Sequence, residues 1–203
     1  GEGGMCKVYR AENEDLKDSY ASIKCLKEEH FVKDALKNRF EDEAKKMLKF
    51  QEKSGTIHKN IVEFKNFKKE EDNYFLITEF VDGLSLKDYI HKHQGPIPPE
   101  RAVIMFRQIL DACEHMHKNN LVHRDLAPDN IMLKPSDRIK ILDFGIAKDF
   151  WNDSDTIEET QHGFLVGKPK YMSPEQIQGK KVNHLSDVYS LGVVFYEMLT
   201  GQY

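Results

Sequence analysis

Two short runs hold the side chains most able to do chemistry: His123-Arg-Asp-Leu-Ala-Pro-Asp-Asn130 and, beyond a short predicted strand, Asp143-Phe-Gly145. They supply two carboxylates, Asp125 and Asp143, and one amide, Asn130. At this spacing one proton-accepting position and one divalent-ion site can share a cleft. A chance Asp in a loop, with an unrelated turn further on, is the competing reading. Two runs in this order and spacing argue against it.

Those residues need elements to hold them. Lys7–Arg10, Ser19–Leu26, Val62–Phe67 and Tyr74–Phe80 read as strands. Between them Asp34–Lys53 has helical periodicity, with Leu36, Phe40, Ala44, Met47 and Leu48 as its apolar stripe. Glu43 falls on that stripe. It is either a buried carboxylate that requires a cation or an edge residue reaching back to water. After Asp82-Gly83 the pattern turns helical. Glu100–Lys118 follows Pro98-Pro99 and carries Val103, Ile104, Phe106, Ile109, Leu110, Cys113 and Met116 as an apolar face. Arg138–Asp143 alternates like a strand. Leu185–Thr200 is apolar nearly all round and stops at Gly201, as a helix buried at a domain centre would. A strand-rich part and a helical part are thus expected to meet near Glu79–Gly83, and nucleotide sites favour such crevices.

Composition narrows the rest. The 203 residues carry 30 basic and 34 acidic side chains, interspersed, for a net charge of −4. Binding to nucleic acid or to an anionic membrane therefore has no electrostatic support. No apolar run approaches the roughly 20 residues that span a bilayer, and no secretory leader is legible before Gly1-Glu2-Gly3. Three cysteines, Cys6, Cys25 and Cys113, form neither a disulfide framework nor a metal-ligand spacing. A reducing, cytoplasmic setting follows, with any membrane anchor lying outside this segment.

Taken together the motifs resemble the catalytic domain of protein kinases, and GEGGM, VYRA, YMSPEQ and SDVYSLG look like the bacterial (Hanks-type) Ser/Thr protein kinases. The resemblance covers essentially the whole chain. It implies an α+β, bilobal fold: a small antiparallel-sheet N-lobe with one helix (1–82) and a mainly helical, partial C-lobe (83–203). Both ends look cut, because strand residues before the glycine loop and the later helices are missing. The arginine that would pair with Glu175 is among them, so an unpaired Glu175 is expected to weaken the chain.

Residue roles follow from the resemblance. Gly1 and Gly3 match the glycine-rich loop over the phosphates, with Cys6 at its third glycine position. There Cys6 is either open to electrophiles or an inert small residue. Lys24, in Ala-Ser-Ile-Lys, would contact the α- and β-phosphates and pair with Glu43, so the orphan carboxylate and the lysine explain each other. Asp125 would take or orient the substrate hydroxyl proton, while Asn130 and Asp143 would hold Mg²⁺, with Mn²⁺ as an alternative. Arg124 could pair with a phosphate on the segment running from Asp143 to Ser173-Pro174-Glu175. Thr160 is the candidate acceptor there, with Thr156 and Ser154 as alternatives, and a segment left unmodified is the bland reading. Asp187 would brace the catalytic loop, cap a helix, or do both. Thr78 would be the gatekeeper; Glu79 and Val81 would offer backbone to adenine; Val8, Ser22 and Met132 would sandwich the ring or simply be core.

Two departures concern mechanism. Ser/Thr kinases usually carry a lysine where this chain has Ala127, and Gly-Thr where it has Gly167-Lys168. Lys168 either restores the missing charge beside Asp125 or is a solvated surface residue. The expected activity is ATP-dependent phosphorylation of Ser/Thr in protein substrates, including autophosphorylation within a homodimer. The alternatives are a pseudokinase scaffold, a tyrosine or dual-specificity kinase (tyrosine kinases also accept alanine at position 127), and a small-molecule phosphotransferase of the same fold.

Overall fold

A computed structural model of the chain describes residues 6–14, 17–26, 34–71, 73–143 and 168–202. The first sheet has strand order β1-β2-β4-β3, all antiparallel: β1 (Cys6–Glu12), β2 (Tyr20–Leu26), β3 (Phe64–Glu70) and β4 (Asn73–Glu79). Helix α1 (Asp34–Ser54) packs on β3 and β4. A second, three-stranded sheet joins β5 (Leu84–Ser85), β6 (Ile131–Leu133) and β7 (Ile139–Ile141). Around it lie α2 (Leu86–Asp88), which continues as a π-helical turn over Tyr89–Gln94, then α3 (Pro99–Lys118), α4 (Pro174–Ile177) and α5 (His184–Thr200). Among the described residues no helix is long and apolar enough to cross a membrane.

The register explains why the sheet can line a cleft. Directly opposed residues of an antiparallel pair project from the same face. Val8 opposes Lys24, Ser22 opposes Thr78, and Lys24 opposes Leu76. One face of the sheet therefore gathers Val8, Ser22, Lys24 and Thr78.

The helices are held by their ends and one face each. Pro99 at the first position opens α3, and His115, His117 and Lys118 stand in its last turn, where positive charge suits the helix dipole. Asn183 caps α5, its side chain accepting the Leu185 N–H at 2.8 Å, and Gly201 closes it at φ 68°. The core side of α3 is Ala102, Met105, Ile109, Ala112, Cys113 and Met116, all buried. Each large side chain among them contributes about 1.5–3 kcal/mol by leaving water.

Three apolar expectations are corrected. Leu48 is exposed, because the buried side of α1 is Phe40, Ala44, Met47 and Phe50. Val103, Ile104 and Leu110 are likewise exposed, while Ala102 and Met105 take the core positions one helical step away. Helix α5 is not buried all round. Leu185, Val188, Tyr189 and Tyr196 face outward, and its buried side carries Ser186, Asp187, Ser190 and Glu197 among Leu191, Val194 and Met198. Strand β3 also begins later than expected. The segment before it pairs elsewhere: Ile61 bridges Ile141 in parallel, Val62 N–H donates to the Ile141 carbonyl at 2.9 Å, and Ile141 N–H to that of Asn60 at 2.8 Å.

Candidate active site

Lys24, Glu43 and Asp143 converge from three elements. The Lys24 ammonium donates to both Glu43 oxygens, at 2.9 and 3.2 Å, and stands 3.4 Å from Asp143 Oδ2. Glu43 is buried, so the stripe position does hold a charge with its counter-ion. Burial works against the Lys24 charge, yet Asp143 and Glu43 outweigh it and hold the amine above the ordinary lysine value. Burial also pushes the Glu43 carboxyl up, and the Lys24 ammonium opposes that shift.

The loop 123–125 is braced from behind by a fully buried carboxylate on α5, Asp187. Asp187 Oδ2 accepts the His123 backbone N–H at 2.9 Å, and Oδ1 accepts that of Arg124 at 2.8 Å. His117 Nε2 lies 2.7 Å from Oδ2 as well. Arg124 adopts φ 67°, and its own amide and that of His123 before it are tied to one carboxylate at this turn. The Asn183 side chain is the cap of α5, so of the two readings of Asp187 the geometry supplies the brace. His123 adds a second tie, its Nε2 lying 2.9 Å from the Leu142 carbonyl, next to Asp143.

Asp125 and Asn130 face each other across the turn Pro128–Asn130. The Asn130 amide donates to the Asp125 carbonyl at 2.8 Å and to its Oδ2 at 3.0 Å. With its nitrogen committed to Asp125, Asn130 keeps its carbonyl oxygen available as a hard donor. Asp143 adds a carboxylate with 45% of its side chain exposed. Two oxygen donors of this kind suit Mg²⁺, which takes few protein ligands and completes its shell with phosphate oxygens and water. Among the described residues no three His, Cys, Asp or Glu side chains gather into a closed metal cage.

Lys168 lies at this site. Its ammonium is 3.3 Å from Asp129 Oδ2 and 3.9 Å from Asp125 Oδ2. Val81 is buried in the core, and Met132 packs against that core on β6. Glu79 N–H donates to the Glu63 carbonyl at 2.9 Å. Gly1, Gly3, Ser154, Thr156 and Thr160 lie outside the described residues. Glu175 is not unpaired: its carboxylate accepts the Ser186 hydroxyl, which holds its pKa below the usual range.

Three contributors went unread in the sequence. Lys140, on β7, reaches Glu79 Oε2 at 2.6 Å and the Ile61 carbonyl at 3.1 Å. Asp129 holds Lys168 with one oxygen and lies 3.5 Å from Lys87 with the other. Glu197, fully buried, receives the Tyr171 hydroxyl at 2.6 Å and lies 2.7 Å from His91 Nε2. A carboxylate on the apolar pattern of α5 was the available signal for the last, by the same logic that singled out Glu43.

A two-part α+β body with a lysine–glutamate pair over a carboxylate–amide turn defines a nucleotide-dependent phosphotransferase architecture. The protein kinase domain family model matches residues 1–203, and the chain belongs to that family. ATP and a divalent cation are general to the family, and so are protein substrates. Serine/threonine-protein kinase PrkC of Bacillus subtilis is 39% identical over 202 residues, covering 100% of this chain and 29% of the relative. A probable serine/threonine-protein kinase PknB of Lactococcus lactis is 35% identical over 202 residues, covering 100% and 30%. Serine/threonine-protein kinase pkn3 of Myxococcus xanthus is 36% identical over 206 residues, covering 99% and 36%. The chain thus spans about a third of the length of these relatives.

Proposed function

We propose that this chain is the catalytic part of a Ser/Thr protein kinase, moving the γ-phosphoryl group of ATP to a protein hydroxyl. The observation that carries the reading is the assembled pair of clusters, Lys24–Glu43–Asp143 and Asp125–Asn130, with no member replaced. A scaffold that only binds nucleotide has no need of Asp125 held by an amide at 3.0 Å.

The chain's residues divide the work. Lys24 holds the α- and β-phosphates, and Glu43 keeps the ammonium aimed at them. Thr78, Glu79 and Val81, with Val8, Ser22 and Met132, form the adenine end; Gly1 and Gly3 would close over the phosphates. Asp125 receives the proton of the incoming hydroxyl as its oxygen attacks the γ-phosphorus, and Asn130 fixes that carboxylate's direction. Asp143 and the Asn130 side-chain oxygen, Oδ1, would be the donors for Mg²⁺, with Mn²⁺ the alternative. When bound, the ion neutralises charge on the phosphate oxygens. Thr160 and Thr156 are candidate acceptors in a second copy of the chain, within a transient homodimer.

The test is transfer of labelled phosphate from ATP-Mg²⁺ by the full-length protein, with Asp125→Asn beside it and phosphoamino-acid analysis of the product. Phosphoserine or phosphothreonine that falls about 10²- to 10⁴-fold in the variant is the expected result. Phosphotyrosine would reassign the acceptor. Nucleotide binding without label in any acceptor would make the chain a pseudokinase.

A further inference from the structure

The transferred group is a phosphoryl crowded by anionic oxygens, and a cation beside the accepting carboxylate lowers the barrier to its transfer. In the catalytic loop the residue two after Asp125 is Ala127, an extended, fully buried methyl that carries no charge. Among the described residues, an ammonium beside Asp125 comes from outside the loop. Lys168 lies 3.9 Å from Asp125 Oδ2, and Asp129 takes the closer share of it at 3.3 Å. Lys87 stands at the other Asp129 oxygen, 3.5 Å away, so Asp129 is flanked by two cations.

Lys168 does not ride on the catalytic loop. It heads the turn Pro169–Tyr171, and its carbonyl accepts the Tyr171 N–H at 3.0 Å. Tyr171 is in turn anchored to α5: its hydroxyl donates to Glu197 at 2.6 Å, and its carbonyl accepts the Ser190 hydroxyl at 2.7 Å. Further along, the Gln176 amide donates to the Arg124 carbonyl at 2.8 Å. The ammonium is therefore where it is because segment 168–176 is docked on α5 and on the catalytic loop.

We infer that Lys168 supplies the catalytic cation for phosphoryl transfer and that Asp129 is its positioning residue, so that docking of segment 168–176 switches the chemical step on. The inference rests on the phosphoryl-transfer reading. In the step, the acceptor oxygen forms a bond to the γ-phosphorus while the bond from that phosphorus to the β,γ-bridging oxygen breaks. The hydroxyl proton passes to Asp125 and ADP departs with the bridging oxygen. Lys168 accompanies the phosphoryl oxygens through that exchange and is itself unchanged. Undocking the segment would remove charge from the transfer step while leaving Lys24, Glu43 and the adenine end intact. The expected signature is a fall in kcat with KM for ATP preserved.

The test uses the full-length protein and a peptide acceptor, with kcat, KM for ATP and melting temperature measured for each variant. Lys168→Thr is expected to lower kcat about a hundredfold with KM for ATP within about twofold. Adding Ala127→Lys to it should restore the rate to within about tenfold of the parent, since the charge returns by the other route. Ala127 is buried, so Lys168→Arg gives a second arm: it keeps the charge and should keep most of the rate. Asp129→Asn should lower kcat in the parent and have little effect in the Ala127→Lys/Lys168→Thr background, where nothing is left for it to position. An unmoved kcat in Lys168→Thr overturns the inference alone, as does an equal cost of Asp129→Asn in both backgrounds. Parent protein that transfers no phosphate, like its Asp125→Asn control, overturns the phosphoryl-transfer reading and this inference with it.

Discussion

Cys6 shows how environment sets the chemistry of a single residue. It stands on β1 opposite Leu26, on the sheet face that carries Lys24. Burial pushes its thiol up to about 11, against the pull of the Lys24 ammonium. A raised pKa means less thiolate at neutral pH, so of the two readings of Cys6 the inert one is favoured. Iodoacetamide at pH 7.5 should modify Cys6 more than tenfold slower than a free cysteine, roughly, with the rate climbing as pH approaches 11. Mass spectrometry of the labelled peptide checks this, and fast labelling at neutral pH would contradict it. Glu43 was half legible from sequence: its place on an apolar stripe left a buried ion and an edge residue open, and the resemblance named Lys24 as its partner, which stands at 2.9 Å. Lys140 was not legible. Its partners Glu79 and Ile61 are remote in sequence, and a lysine in an alternating strand reads equally well as solvated.

Among the elements, position was easier to read than orientation. Helices α1, α3 and α5 fall where periodicity put them, within a residue or so at each end. Their buried faces were read less well. Each carries more apolar residues than one core can cover, and the pattern alone cannot say which set turns inward when Val103 and Ile104 compete with Ala102 and Met105. Strands β5 and β6 were missed because two or three residues give no periodicity. What sets β5 against β6 is the close approach of Gly83 to Leu133: a Cβ at position 83 would lie 2.3 Å from the Leu133 carbonyl oxygen. Gly83→Ala should therefore part the two strands and lower stability by about 1–3 kcal/mol, as overpacking against backbone does. Thermal unfolding with and without ATP-Mg²⁺ measures both effects. An unchanged melting point would show that the strands give way freely.

In the whole molecule, the loop between α1 and β3 follows the helical part rather than the sheet that continues it. The Asn60 amide donates to the Ile139 carbonyl at 2.8 Å, Val62 N–H pairs with Ile141, and Leu142 N–H reaches the Asn130 carbonyl at 2.8 Å. In native-state hydrogen exchange, Val62 and Ile141 should open together, at the cost of the large lobe, and not with Phe67 of β3. Exchange of Val62 in step with β3 would show that this seam parts when the sheet does. Lys140 adds one more consequence. Its ammonium touches Glu79, at the end of β4, and Ile61, in the loop between α1 and β3, so the strand that leads out of the first sheet and the loop that leans on the second share a single nitrogen. That nitrogen acts as a rivet: it fastens the end of β4, and the loop before β3, to β7 of the second sheet.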